Sequence, residues 1–98
     1  MITHSVFFKL AHENGSVEEA EFLRKAAELA NIPSVGQFKV LRETSPKNGF
    51  DFGLTMVFTD QAAYDAYNNH PDHVAFVQDV WLKDVADFME IDHVPLES

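Results

Sequence analysis

The chain has 98 residues, long enough for one packed core and too short for two, so a single domain over residues 1–98 is expected. Hydrophobic residues make up 46% of it and aromatics 12%, nine of them Phe, which argues against intrinsic disorder. Seven basic against sixteen acidic residues give a net charge of −9, a surface that repels phosphate backbones and anionic headgroups, so no nucleic acid and no membrane is expected as a partner.

The absence of cysteine removes disulfides and thiolate chemistry together. Residues 1–9 carry no basic start followed by a long apolar run, and no apolar stretch approaches roughly 20 residues. A cytoplasmic location is therefore the expectation.

Residues 3 to 10 alternate, His4, Val6, Phe8 and Leu10 against Ser5, Phe7 and Lys9, which is the period of a strand. A turn at Asn14-Gly15 leads into Ser16-Val17-Glu18-Glu19, where Ser16 and Glu19 have the spacing of a capping box. Val17, Ala20, Leu23, Ala27 and Ala30 then recur at helical intervals, and the helix is expected to run to about Asn31 before Pro33. Val35, Phe38, Val40 and Leu41 indicate a second strand with a bulge near Gly36. After the turn cluster Ser45–Gly49, the residues Phe50, Phe52, Leu54, Met56 and Phe58 share one face of a third strand, and Asp60 can cap the helix that follows.

That helix meets Tyr67-Asn68-Asn69-His70-Pro71-Asp72-His73. Proline lacks an N–H and pushes the residue before it out of the helical region, so His70 ends one helix and Pro71 starts another. Val74, Val77, Val80 and Trp81 continue the apolar rhythm, and Val85 through Val94 alternate as a fourth strand carrying Glu90 and Asp92 on one side. The order is βαββαβ, an α+β arrangement with a four-stranded antiparallel sheet and both helices on one face. Phe7 and Val57 place apolar groups on the other face as well, which two helices cannot cover, so a homodimer joined through its sheet faces is expected.

His73 falls in the first turn of its helix, where the positive end of the dipole disfavours imidazolium and leaves a ring able to accept a proton. Its plainer reading is an interfacial or helix-cap histidine satisfied by a carbonyl, just as Tyr67 reads equally as a core residue with its hydroxyl tied to a neighbour. Tyr64, Phe76 and Trp81 are most simply packing residues. His70 and His73 with Asp72, Asp92 and His93 offer metal-ligand types, but Pro71 breaks the helix that would aim both rings at one point, and no metal is expected. No Gly-x-Ser-x-Gly elbow or glycine-rich phosphate loop is present.

His4-Ser5-Val6-Phe7-Phe8-Lys9-Leu10, Ile32-Pro33-Ser34-Val35, the run from Phe50 to Phe58, and the Tyr67-to-His73 element together resemble the stress-responsive dimeric α/β-barrel (Dabb) domain over essentially the whole chain. The resemblance implies a ferredoxin-like protomer, a dimeric α/β barrel formed face to face by two sheets, and a cleft between sheet and helices in each subunit. Some members are plant polyketide cyclases that perform an intramolecular aldol condensation without a cofactor; their catalytic pair falls here on Tyr67 and His73, with His4 lining the same pocket. The candidate catalytic residues are thus His73 and Tyr67, and the candidate ligand-binding residues His4, His70, Phe52 and Phe76, with no metal and no cofactor. The first functional expectation is a small dimeric protein whose cleft binds an apolar or aromatic small molecule. The alternative is a cofactor-independent cyclase, lyase or isomerase in which His73 is the general base, Tyr67 the oxyanion donor and His4 a positioning group.

Overall fold

The computed structural model describes residues 1–97, so the last position of the expected domain, Ser98, lies outside the described residues. In chain order it forms β1 (Ile2–Leu10), α1 (Val17–Ala27), a 3₁₀ turn (Glu28–Asn31), β2 (Gly36–Arg42), β3 (Phe52–Phe58), α2 (Gln61–Asn69), α3 (Pro71–Phe76), a π-helical turn (Val77–Trp81), α4 (Leu82–Asp84) and β4 (Val85–His93). The strands make one antiparallel sheet in the order β2-β3-β1-β4. The expected α+β fold and its βαββαβ order are what the chain adopts.

Local chemistry explains the boundaries. The Ser16 hydroxyl accepts from the Glu19 N–H at 3.1 Å, while the Glu19 carboxylate reaches back to the Gly15 N–H at 3.0 Å, one residue beyond the partner a capping box uses. The expected first helix does reach Asn31, but its last turn tightens to 3₁₀ geometry after Ala27. Asp60 caps α2 by accepting from the Ala63 N–H at 2.8 Å. His70 stands at φ −65°, ψ 135°, the extended conformation a residue before proline prefers, and Pro71 opens α3. The bulge expected near Gly36 lies between Gly36 and Lys39, with Gln37 in the left-handed region at φ 48°. The third strand begins at Phe52 rather than Phe50, although the Asp51 N–H still bonds the Phe8 carbonyl at 3.0 Å.

The helices cover the sheet face that carries Val6, Phe8 and Leu10 of β1 and Phe52, Leu54, Met56 and Phe58 of β3, all buried. Phe8 is the hub: its ring lies 5.4 Å from Phe22 of α1, 5.9 Å from Phe52 and 5.2 Å from Trp81. Each such ring contributes roughly 1.5–3 kcal/mol by leaving water. The π turn, in which the Leu82 N–H bonds the Val77 carbonyl five residues back, seats Trp81 against both Phe8 and Phe88.

The opposite face has no helix over it. Register pairs Phe7 with Met89 and with Gly53, and Ser5 with Ile91, and the Met89 and Ile91 side chains stand about half exposed. Phe7 lies across Gly53 so closely that a Cβ there would sit 2.6 Å from the ring. Only glycine lets the ring lie flat on the sheet at that point.

Candidate functional site

On the helix-covered face the core is dense at the Phe8 end of β1 and hollow at the His4 end. There a cavity of about 300 Å³ opens between β1, β4 and the helices on either side of the His70-Pro71 break, walled by His4, Tyr67, Asn68, His73 and Glu90, by the aromatic rings of Phe76, Trp81 and Phe88, and by aliphatic side chains. A larger groove of about 480 Å³ between α1 and α3 is an open surface channel whose charges, Arg24, Lys25, Glu28, Asp72 and Asp79, are of both signs. Of the two, only the first brings histidines and a tyrosine together against an apolar wall.

Both histidines of that cavity are aimed by hydrogen bonds. His73 lies one turn into α3, and its Nδ1 donates to the Asn68 carbonyl at 3.2 Å across the helix break. Its Nε2 is thereby the acceptor, and the ring packs on Tyr67 with centroids 4.3 Å apart. Burial holds the His73 pKa below the usual imidazole value and the nearby His4 adds to this; the Asn68 carbonyl and the Glu90 charge oppose the shift without cancelling it. Tyr67 is buried against Phe58, and its pKa is pushed above the usual phenol value by burial first and the Glu90 charge second. Tyr67 stays a protonated donor while His73 stays a neutral acceptor. Among the described residues no group hydrogen-bonds the Tyr67 hydroxyl.

His4 is buried and its Nδ1 lies 2.5 Å from Asp92 Oδ1 and 2.9 Å from the Tyr64 hydroxyl, which itself donates to Asp92 Oδ2 at 2.8 Å. Register sets Asp92 directly opposite His4, and Glu90 opposite Val6, so β4 delivers both carboxylates to the covered face. Tyr64 stacks on Phe58 at 4.8 Å, nearly parallel, and reaches His4 from α2.

Of the six residues singled out in the sequence, His4, Tyr67, His73 and Phe76 stand together on the cavity wall. Two stand elsewhere. Phe52 pairs with Phe8 at the packed end, with the Arg42 guanidinium 5.4 Å from its ring centre. His70 caps α3, its Nδ1 accepting from the Asp72 N–H at 3.1 Å, which turns the ring toward its own helix. In the sequence pattern Tyr64 is a packing residue, Asp92 stands out only as a metal-ligand type and Glu90 only as a strand position. The signal for both carboxylates was parity: positions 90 and 92 alternate onto the face that a fourth strand beside β1 shares with His4. His93 has the other parity and pairs with Thr3 on the open face. Among the described residues no group of three or more His, Asp or Glu side chains is placed to hold a metal ion.

An antiparallel ferredoxin-like sheet with a histidine-lined cavity under its helices defines the class. The model of the Stress responsive A/B Barrel Domain, Dabb, matches residues 2–95, and the chain belongs to that family. It is similar to a Dabb family protein with a ferredoxin-like fold from Mesorhizobium loti, with 52% identity, 97% of this chain and 96% of that one covered, and a TM-score of 0.96. A dimeric ferredoxin-like protein of unknown function from Thermobifida fusca shares the fold at 19% identity, covering 96% and 90% of the two chains with a TM-score of 0.77. So does a hydroxynitrile lyase from Passiflora edulis, at 16% identity, 99% and 94% coverage and a TM-score of 0.84. No curated protein matches the chain. Among the described residues no helix is long and apolar enough to cross a membrane.

Proposed function

We propose that the protein is a homodimer whose subunits each bind one uncharged aromatic or apolar small molecule in the cavity between sheet and helices. The observation that carries this reading is the convergence of His4, Tyr67 and His73 on one hollow in an otherwise filled core. A cavity of about 300 Å³ is at the small end of ligand pockets, and Phe76, Trp81 and Phe88 give it the apolar lining such ligands need. Glu90 at the wall disfavours a carboxylate guest. The second copy is supported by the half-exposed Met89 and Ile91 on the uncovered face and by the dimeric Thermobifida relative.

Trp81, the only tryptophan in the chain, lines the cavity and is a built-in reporter. Titration with 4-hydroxyacetophenone should change its fluorescence saturably, whereas 4-hydroxybenzoate should bind at least tenfold more weakly. Equal response to both, or to neither, would refute the ligand class. Sedimentation equilibrium at micromolar concentration should give twice the chain mass.

A second reading, a cofactor-independent lyase, isomerase or cyclase, is favoured by the opposed pKa shifts of two rings in contact. In it neutral His73 Nε2 takes a proton from carbon beside a carbonyl, the electron pair moves to the carbonyl oxygen, and the Tyr67 hydroxyl hydrogen-bonds the resulting oxyanion. Base-catalysed exchange of the methyl protons of 4-hydroxyacetophenone in deuterated water, lost in His73→Ala with affinity retained, would establish turnover chemistry. Exchange unaffected by that substitution would sink it.

A further inference from the structure

His4 is the one polar side chain of the cavity whose orientation is fixed by two other side chains at once. An ionised carboxylate has no proton to give, so the 2.5 Å contact between His4 Nδ1 and Asp92 Oδ1 requires the proton to sit on Nδ1. Tyr64 closes the arrangement. Its hydroxyl proton goes to Asp92 Oδ2 at 2.8 Å, and its oxygen, 2.9 Å from His4 Nδ1, takes the second share of the imidazole N–H. The phenol is held in the donor state by burial first and by Asp92 second, both of which push its pKa above the usual value. Every proton in the three-residue ring is thus assigned by elimination. What is left over is His4 Nε2, a lone pair with no protein partner among the described residues, on a buried ring that lines the cavity.

We propose that Tyr64 and Asp92 are positioning residues that hold His4 as the Nδ1–H tautomer, making its Nε2 a second hydrogen-bond acceptor in the cavity beside that of His73. This rests on the cavity reading above and narrows it. His4 Nε2, His73 Nε2 and the Glu90 carboxylate are acceptors, and the Tyr67 hydroxyl stands beside His73 as a donor. Such a lining suits a guest that offers both a donor and an acceptor: an uncharged hydroxylated aromatic carbonyl compound. Neither Asp92 nor Tyr64 touches the guest in this scheme; both act through His4.

Long-range ¹H–¹⁵N correlation spectra of the imidazole rings at about pH 8, where unperturbed histidines are neutral, read tautomers directly. Wild-type His4 should show a protonated Nδ1 and a bare Nε2. In Asp92→Asn the Tyr64 hydroxyl occupies the amide oxygen and turns the amide NH₂ toward His4 Nδ1, so His4 should switch to the Nε2–H tautomer while His73 keeps its own. The same variant should bind 4-hydroxyacetophenone roughly three- to tenfold more weakly, the range of one lost neutral hydrogen bond, and Asp92→Glu should restore the original tautomer. A wild-type His4 protonated on Nε2, or an Asp92→Asn protein that keeps Nδ1–H, overturns the positioning role; should that variant fail to fold, the wild-type spectrum alone decides it. Failure of wild type to bind the probe would instead overturn the ligand class and the cavity reading, leaving the tautomer result standing.

Discussion

Residues four positions apart on one face of β1 meet opposite surroundings. At Phe8 the helices supply Phe22 and Trp81 and the neighbouring strand supplies Phe52, with centroid separations of 5.2 to 5.9 Å and no exposed surface left on Phe8. At His4 the same helical layer supplies Tyr64, Tyr67 and His73, and a hollow of about 300 Å³ remains. The strand is regular through both, so the backbone does not make the difference. Side chains do: the packed end contains only groups that gain by touching each other, while the hollow end contains polar groups satisfied on one side and left unsatisfied toward the space. The first end holds the fold together, and the second leaves the space in which the proposed guest would sit.

Truncation should separate the two ends most sharply. Phe8→Ala removes the ring that α1, β3 and the π turn all touch, and by the usual cost of emptying a buried aromatic site it should cost about 3–5 kcal/mol, seen as a large drop in the urea midpoint. A loss under about 1 kcal/mol would mean that the aromatic cluster is not the core. On the uncovered face the proposed interface gives the next largest effect. Ile91→Lys places a charge where a second sheet would pack and should weaken dimerisation roughly ten- to hundredfold, equivalent to about 1–3 kcal/mol, in sedimentation experiments. An unchanged dimer would place the interface elsewhere.

Much of this contrast is legible in the amino-acid sequence, and the unread part has a physical cause. Ser16, Asp60 and Pro71 mark helix starts by local hydrogen bonding and backbone geometry, which depend on neighbours within a few residues. The same locality brings Tyr67 and His73 together. Asp92 is 88 positions from His4, and their contact exists only because β4 pairs with β1 in one particular register. A strand pattern gives the parity of Asp92 but not the partner it will face. The π turn is also hidden, since Val77 and Trp81 fit a four-residue helical repeat and the wider turn is chosen by where the indole can pack. His70 and Phe52 carried plausible residue types to places where a cap and a packed core use them instead.

The hollow end should also show in the pH dependence of stability. Burial keeps the folded-state pKa of His73 below that of the unfolded chain, so below about pH 6.5 the unfolded state binds more protons. The His73 contribution is complete above that pH and is lost as the pH falls through the depressed folded value. His73→Gln should therefore flatten the fall in stability on the acid side of about pH 6.5, measured as urea midpoints at several pH values. A slope identical to wild type would show that the ring is solvated in the folded protein.

The smallest expected change in stability is also the most discriminating. Tyr67 is buried through its ring, while its hydroxyl has no protein partner among the described residues and borders the cavity. Removing that oxygen in Tyr67→Phe deletes no intramolecular hydrogen bond and strands no buried acceptor, so stability should move by no more than about 0.5 kcal/mol. Affinity for 4-hydroxyacetophenone should nevertheless fall roughly three- to tenfold, because the donor beside His73 is gone. Phe8→Ala would do the reverse, lowering stability through lost packing against Phe22 and Phe52, which do not line the cavity. If instead Tyr67→Phe destabilised the chain by several kcal/mol, its hydroxyl would belong to the packed end, and the division of β1 into a structural and a binding half would collapse.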